Sequence, residues 1–85
     1  MRIIKPRTSR STVILRGEVF FRGLAVQVRV YDLSPEGAQV SPADSFAPGD
    51  RVAFSCRLLS HVASTVVWVR GERCGITFDA PVILT

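Results

Sequence analysis

The chain has 85 residues, 47% of them apolar, and eleven Lys and Arg against seven Asp and Glu give it a formal charge of +4. That length suits one small domain with a thin core and is too short to divide in two, while the apolar fraction excludes a disordered chain. No apolar run approaches the ~18 residues of a transmembrane helix, and two cysteines with a single histidine exclude a disulfide framework or a zinc site.

Arg2, Lys5, Arg7, Arg10 and Arg16 all precede the first acid, Glu18. The amino-terminal end is therefore a cationic strip suited to an anion such as a phosphate or a nucleotide. Residues 1–11 add a proline and three hydroxyl residues without sustained periodicity, so they are expected to form a flexible basic arm ahead of a folded unit over 12–85. The blander reading is a basic terminus that is merely solvated and frayed. The opening Met1-Arg2-Ile3-Ile4-Lys5-Pro6 lacks the apolar core of a signal peptide, which makes the cytoplasm the expected compartment.

Thr12 to Val19 is rich in β-branched residues, and Gly17 inside it predicts a bulge or a close backbone approach. Phe20-Phe21-Arg22-Gly23 then closes a turn into a second strand, and the two strands read as a hairpin. Along the second strand Leu24, Val26, Val28 and Val30 share one face, with Ala25, Gln27, Arg29 and Tyr31 on the other. It ends in Asp32-Leu33-Ser34-Pro35-Glu36-Gly37. Ser34, Pro35 and Gly37 stand where a type I turn wants an acceptor side chain, a preset φ and a residue without Cβ. Ala38 to Val40 resumes the extended chain, so Asp32, Ser34 and Gly37 form a small polar concavity between two strands.

Residues 41–50 read as a loop with Pro48-Gly49-Asp50 as its turn, and Phe46 is expected to plug one end of the core. Alternation returns from Arg51 to Leu59, with Val52, Phe54, Cys56 and Leu58 on one side. Thr65 to Arg70 is another strand, and Gly71-Glu72 turns into Arg73 to Asp79. Cys56, Cys74 and Trp68 are expected in the core. Ala80 to Thr85 is apolar and is expected to add a short strand or to lie against the rest. Six short strands separated by turns make an all-β sandwich or barrel.

The chemistry points to binding. His61 has no assigned Cys or Ser partner, the carboxylates are scattered at turns, and no Walker loop, dinucleotide fingerprint or metal spacing occurs. These features argue against an enzyme, a metal site and a cofactor. A guanidinium, by contrast, presents a fork that pairs bidentately with phosphate or with guanine O6 and N7, and it also stacks on the base. Asp32 can accept from the ring N–H and amine of guanine, Ser34 adds a hydroxyl, and Gly37 allows close backbone approach. The bland alternative for Asp32 is that it only caps its turn by accepting backbone N–H groups.

In these features the chain resembles the PilZ domain family of bacterial cyclic di-GMP receptors. The family pattern is an Arg-x-x-x-Arg arm followed roughly twenty to thirty residues later by Asp/Asn-x-Ser-x-x-Gly, and the second element is complete here as Asp32 to Gly37. Val67-Trp68-Val69-Arg70-Gly71-Glu72-Arg73-Cys74-Gly75-Ile76-Thr77-Phe78-Asp79 resembles the family's closing hairpin. The resemblance implies a six-stranded antiparallel β-barrel with a flexible basic N-terminal arm. It also implies cyclic di-GMP as the ligand, bound by Arg7, Arg10, Asp32, Ser34 and Gly37, with no cofactor. Binding would order the arm and alter the surface offered to a downstream protein partner.

The arm departs from the pattern. Arg7-Thr8-Ser9-Arg10 is Arg-x-x-Arg, so one arginine of the family spacing is replaced by Pro6 or by Ile3, depending on which arginine is matched. A lost charge-assisted contact costs about 1.5–3 kcal/mol, or one to two decades of affinity. The alternative reading is therefore a PilZ-like protein-interaction adaptor that binds no nucleotide. A third, a barrel that binds single-stranded nucleic acid, draws on the positive charge but lacks exposed aromatic platforms.

Overall fold

The period-two pattern becomes the inner wall of a barrel. A computed structural model describes residues 15–84. The strands are β1 (Leu15–Phe21), β2 (Leu24–Ser34), β3 (Gly37–Ser41), β4 (Arg51–Cys56), β5 (Leu59–Arg70) and β6 (Arg73–Phe78). They close antiparallel in the order β1-β2-β3-β6-β5-β4. Closure removes the free edges that a sheet this small would otherwise expose. The expected arm, with Arg7 and Arg10, lies outside the described residues, as does the expected start of the first strand at Thr12.

Val19, Val30, Val40, Phe54, Val66 and Cys74 are fully buried. Fully burying a Val or Phe side chain stabilises by roughly 1.5–3 kcal/mol, so these few residues dominate a thin core. Phe46 is buried at its margin, edge-on to Phe21 with ring centroids 5.7 Å apart, as a plug should be. Burial pushes the Cys74 thiol up to about 11. Cys56 departs from expectation: it is only partly buried, at the end of β4.

The β1–β2 hairpin pairs without interruption from Phe21↔Leu24 to Leu15↔Val30. Its two-residue turn has positive φ at both Arg22 (53°) and Gly23 (81°), the geometry whose twist matches a hairpin. Gly17 marks a close approach and not a bulge: it stays in register with Val28 and Cys56, and a Cβ there would sit 2.8 Å from the Ser55 carbonyl oxygen.

The expected strand from Arg51 to Leu59 divides in two. β4 ends at Cys56, Arg57 and Leu58 form the turn, and β5 runs twelve residues from Leu59, taking in 60–64 as well. The register shifts between Phe54 and Cys56, where the Ser55 hydroxyl accepts the backbone N–H of His61 at 2.8 Å and His61 adopts a φ of 49°. Leu58 is consequently exposed at the turn instead of facing the core. His61 stacks on Phe20, centroids 4.6 Å apart, on the outer surface.

Residues 79–84 add no strand but lie against the barrel. The Val82 N–H donates to the Pro35 carbonyl at 2.9 Å and its side chain packs on the core. Arg51 grips Asp79 through two hydrogen bonds of 2.7 Å and donates a third, also 2.7 Å, to Thr65. The clamp joins the start of β4 to the end of β6 and holds the Asp79 carboxyl below its usual range.

Candidate functional site

Two interruptions in strand pairing create the face on which the polar residues gather. In β2, Val28 and Val30 point inward, so strict alternation would send Asp32 inward as well. The register instead shifts between Val30 and Asp32, leaving Tyr31 as the extra residue. Past the bulge Leu33 packs against the core and Asp32 faces solvent. A bare carboxylate among Val and Phe side chains would be strongly destabilising.

β5 repeats the device. Val66 is fully buried, and alternation would put Trp68 inside, as expected from the sequence. The register shifts between Val66 and Trp68, with Val67 as the extra residue and 48% exposed. Val69 takes the inward position and Trp68 turns out. The expectation of a core tryptophan is overturned by that one-residue change of phase.

The two outward turns meet. Asp32 pairs with Gln39, Gln39 with Gly75, and Gly75 with Trp68, one row across β2, β3, β6 and β5. At the usual strand spacing the row spans about 14 Å. Gly75 has no side chain because the Trp68 indole lies across it; a Cβ would overlap the indole nitrogen. The Arg70 guanidinium lies 5.2 Å from the centre of the Trp68 ring. Asp32, Gln39, Trp68 and Gly75, with Ser34 and Gly37, bound an open groove of about 230 Å³.

Ser34 and Gly37 pair with each other to close the β2–β3 hairpin, whose turn is Pro35-Glu36. The Ser34 hydroxyl accepts the Glu36 N–H at 3.2 Å and points back to the Gly37 carbonyl at 3.5 Å. Ser34, not Asp32, therefore caps the turn. Gly37 is required for space: a Cβ would overlap the Ile76 carbonyl oxygen of β6. Asp32 is left exposed, and among the described residues its carboxylate accepts only the side-chain amide of Gln39, at 3.5 Å.

Of the expected site residues, Asp32, Ser34 and Gly37 thus come together, and Arg7 and Arg10 fall outside the described part. Gln39, Trp68 and Gly75 were not singled out as site residues. The apolar spacing carries the signal on β2, where the inward positions run 26, 28, 30 and then 33 with one step too long; on β5 they run 62, 64, 66 and then 69, but residues 66–69 are all apolar and mask the long step.

The model of the PilZ domain family matches residues 5–83. The chain belongs to the PilZ domain family. In this PilZ domain both stretches that carry the resemblance, Asp32 to Gly37 and the hairpin from Val67, border the same groove. No curated protein and no solved structure shows significant similarity to the chain. Among the described residues no helix is long and apolar enough to cross a membrane, and no group of His, Cys, Asp and Glu is placed to hold a metal ion.

Proposed function

We propose that this PilZ domain is a receptor for cyclic di-GMP and acts by binding, without catalysis. The observation that carries the reading is that two separate bulges turn Asp32 and Trp68 onto one outer row, with the Asp32 carboxylate unused by its own turn. An exposed carboxylate beside a shaped groove suits the paired N–H donors of guanine. Ser34 and Gly37 hold the corner in place, and Arg7 and Arg10 meet the phosphates and stack on or read guanine. Closing residues 1–11 over the ligand changes the surface offered to a downstream protein partner.

Isothermal titration with cyclic di-GMP at moderate salt tests the reading on the unmodified chain, on Arg7→Ala/Arg10→Ala and on Asp32→Ala. Micromolar or tighter binding that both variants lose is the expected result. Amide exchange should then slow from Lys5 to Ser11 only with ligand present. No heat from a demonstrably folded protein would sink the proposal and favour the adaptor reading, which the short Arg7-x-x-Arg10 spacing motivates.

A further inference from the structure

Beside the groove lies a second, larger cleft of about 540 Å³, lined by Arg16, Gln27, Arg29, Tyr31, Ser41 and Glu72 among others. Its floor is the β2 bulge residue Tyr31, adjacent to Asp32 in the chain. The Tyr31 hydroxyl is tied to the Ser41 hydroxyl at 3.0 Å, and the Arg73 guanidinium lies over the Tyr31 ring, 3.9 Å from its centre. We infer that Arg73 supplies a phosphate contact from the barrel itself, in place of the arginine that the arm lacks; the inference rests on the cyclic di-GMP reading above.

Three observations support it. A guanidinium held 3.9 Å over the ring centre is restrained in position while its N–H donors stay free for a partner, which is the preorganisation that phosphate recognition needs. Arg73 and Gly75 both face outward on β6, two residues apart, so the guanidinium starts roughly 7 Å along the strand from the Asp32–Trp68 row. The field is also uncompensated. Arg16 and Arg29 line the cleft with Glu72 as the acid in its lining, Arg73 lies over its Tyr31 and pairs with Arg70, and among the described residues the one ion pair is Arg51–Asp79, elsewhere on the barrel. Residues 1–14 contain no acid to neutralise these charges.

Position supports the substitution as well. Arg16 pairs with Arg29 at the start of β1, where the chain from residues 1–14 enters the barrel. A phosphate held by Arg73 would therefore stand between the arm's point of entry and the Asp32 carboxylate. Tyr31 senses the same charges: its hydrogen bond with Ser41 lowers the phenol below its ordinary value first, and the charges of Arg29 and Arg73 add to that against the opposing effect of desolvation.

The test titrates cyclic di-GMP into the full chain and into Arg73→Ala, Arg73→Lys and Arg22→Ala, each first shown to be folded by circular dichroism. Arg22 is the matched control, an exposed arginine 5.0 Å from the centre of the Phe21 ring in the β1–β2 turn. Arg73→Ala should weaken binding ~10-fold or more and flatten its salt dependence. Arg73→Lys should fall between, because it keeps the charge and loses the fork, and Arg22→Ala should bind as the unmodified chain does. Unchanged affinity in Arg73→Ala would overturn the inference and leave the receptor reading standing, whereas an unmodified chain that binds nothing would overturn both. A thymidine oligonucleotide bound as tightly as cyclic di-GMP, with an equal loss in Arg73→Ala, would show an unselective cationic patch and likewise overturn it.

Discussion

The β1–β2 and β2–β3 hairpins share a strand and each closes through two residues, yet they solve different problems. The first pairs seven residues in unbroken register, and its glycine is there for conformation: Gly23 has a φ of 81° and nothing within 4 Å of a Cβ. The second breaks its register at Tyr31, has no positive φ at Pro35 or Glu36, and needs Gly37 for room against β6. A regular hairpin keeps every side chain on the face that alternation assigns. An irregular one moves a carboxylate from the core side to the surface beside a groove.

Removing the irregularity should have the largest effect. Inserting an alanine between Gln39 and Val40 gives Tyr31 a partner and restores regular pairing, which drives Asp32 toward Val30 and Val40 and turns Leu33 out, at a cost of at least ~3 kcal/mol. Thermal unfolding followed by circular dichroism should show a lost or strongly lowered transition; an unchanged midpoint would mean that the bulge does not set the phase of β2. Gly37→Ala comes next, at about 2 kcal/mol, because the β6 backbone must move, and it should also weaken ligand binding. Gly23→Ala should cost about 1 kcal/mol through left-handed strain and leave ligand binding intact.

Asparagine separates the two glycines more sharply. Asn tolerates positive φ, so Gly23→Asn should recover most of the loss seen with alanine, while Gly37→Asn should be at least as damaging as Gly37→Ala. Equal behaviour at both positions would dissolve the distinction. Asp32→Ala should change stability by less than ~0.5 kcal/mol, since the carboxylate caps nothing, while abolishing cyclic di-GMP binding.

The smallest expected effect lies at the exposed clamp between the start of β4 and the end of β6. Arg51 depresses the Asp79 carboxyl, so its contribution is fully present above the unfolded-state value near ~3.9 and is lost as pH falls through the lower folded value. Melting points of the native chain and of Asp79→Asn should therefore differ slightly at neutral pH and converge on acidification. A difference that persists in acid would assign the clamp's effect to packing.

Most of the barrel was legible because its core follows period two: Val26, Val28 and Val30, Val52 and Phe54, and Cys74, Ile76 and Phe78 lie where alternation puts them. The Asp32–Gly37 corner was legible because turn chemistry is local. What escaped was phase. Trp68 was assigned to the core because Val66-Val67-Trp68-Val69 is apolar throughout and hides the extra residue. The division of Arg51 to Leu59 escaped because Cys56 and Leu58 continue the alternation across a turn. In each case long-range pairing, not composition, chose the face.

The carbonyls of the Pro35-Glu36 turn are also occupied. Glu36 accepts the N–H of Phe78 at 2.8 Å and Pro35 that of Val82 at 2.9 Å, so the corner beside Asp32 is sewn by its backbone to the end of β6 and to the segment that follows it. A pull on residues 79–84 is thereby delivered as a displacement of that corner. Because coupling between two sites is reciprocal, whatever factor such a load takes from the corner's affinity, an occupant of the corner returns as tighter hold on the segment.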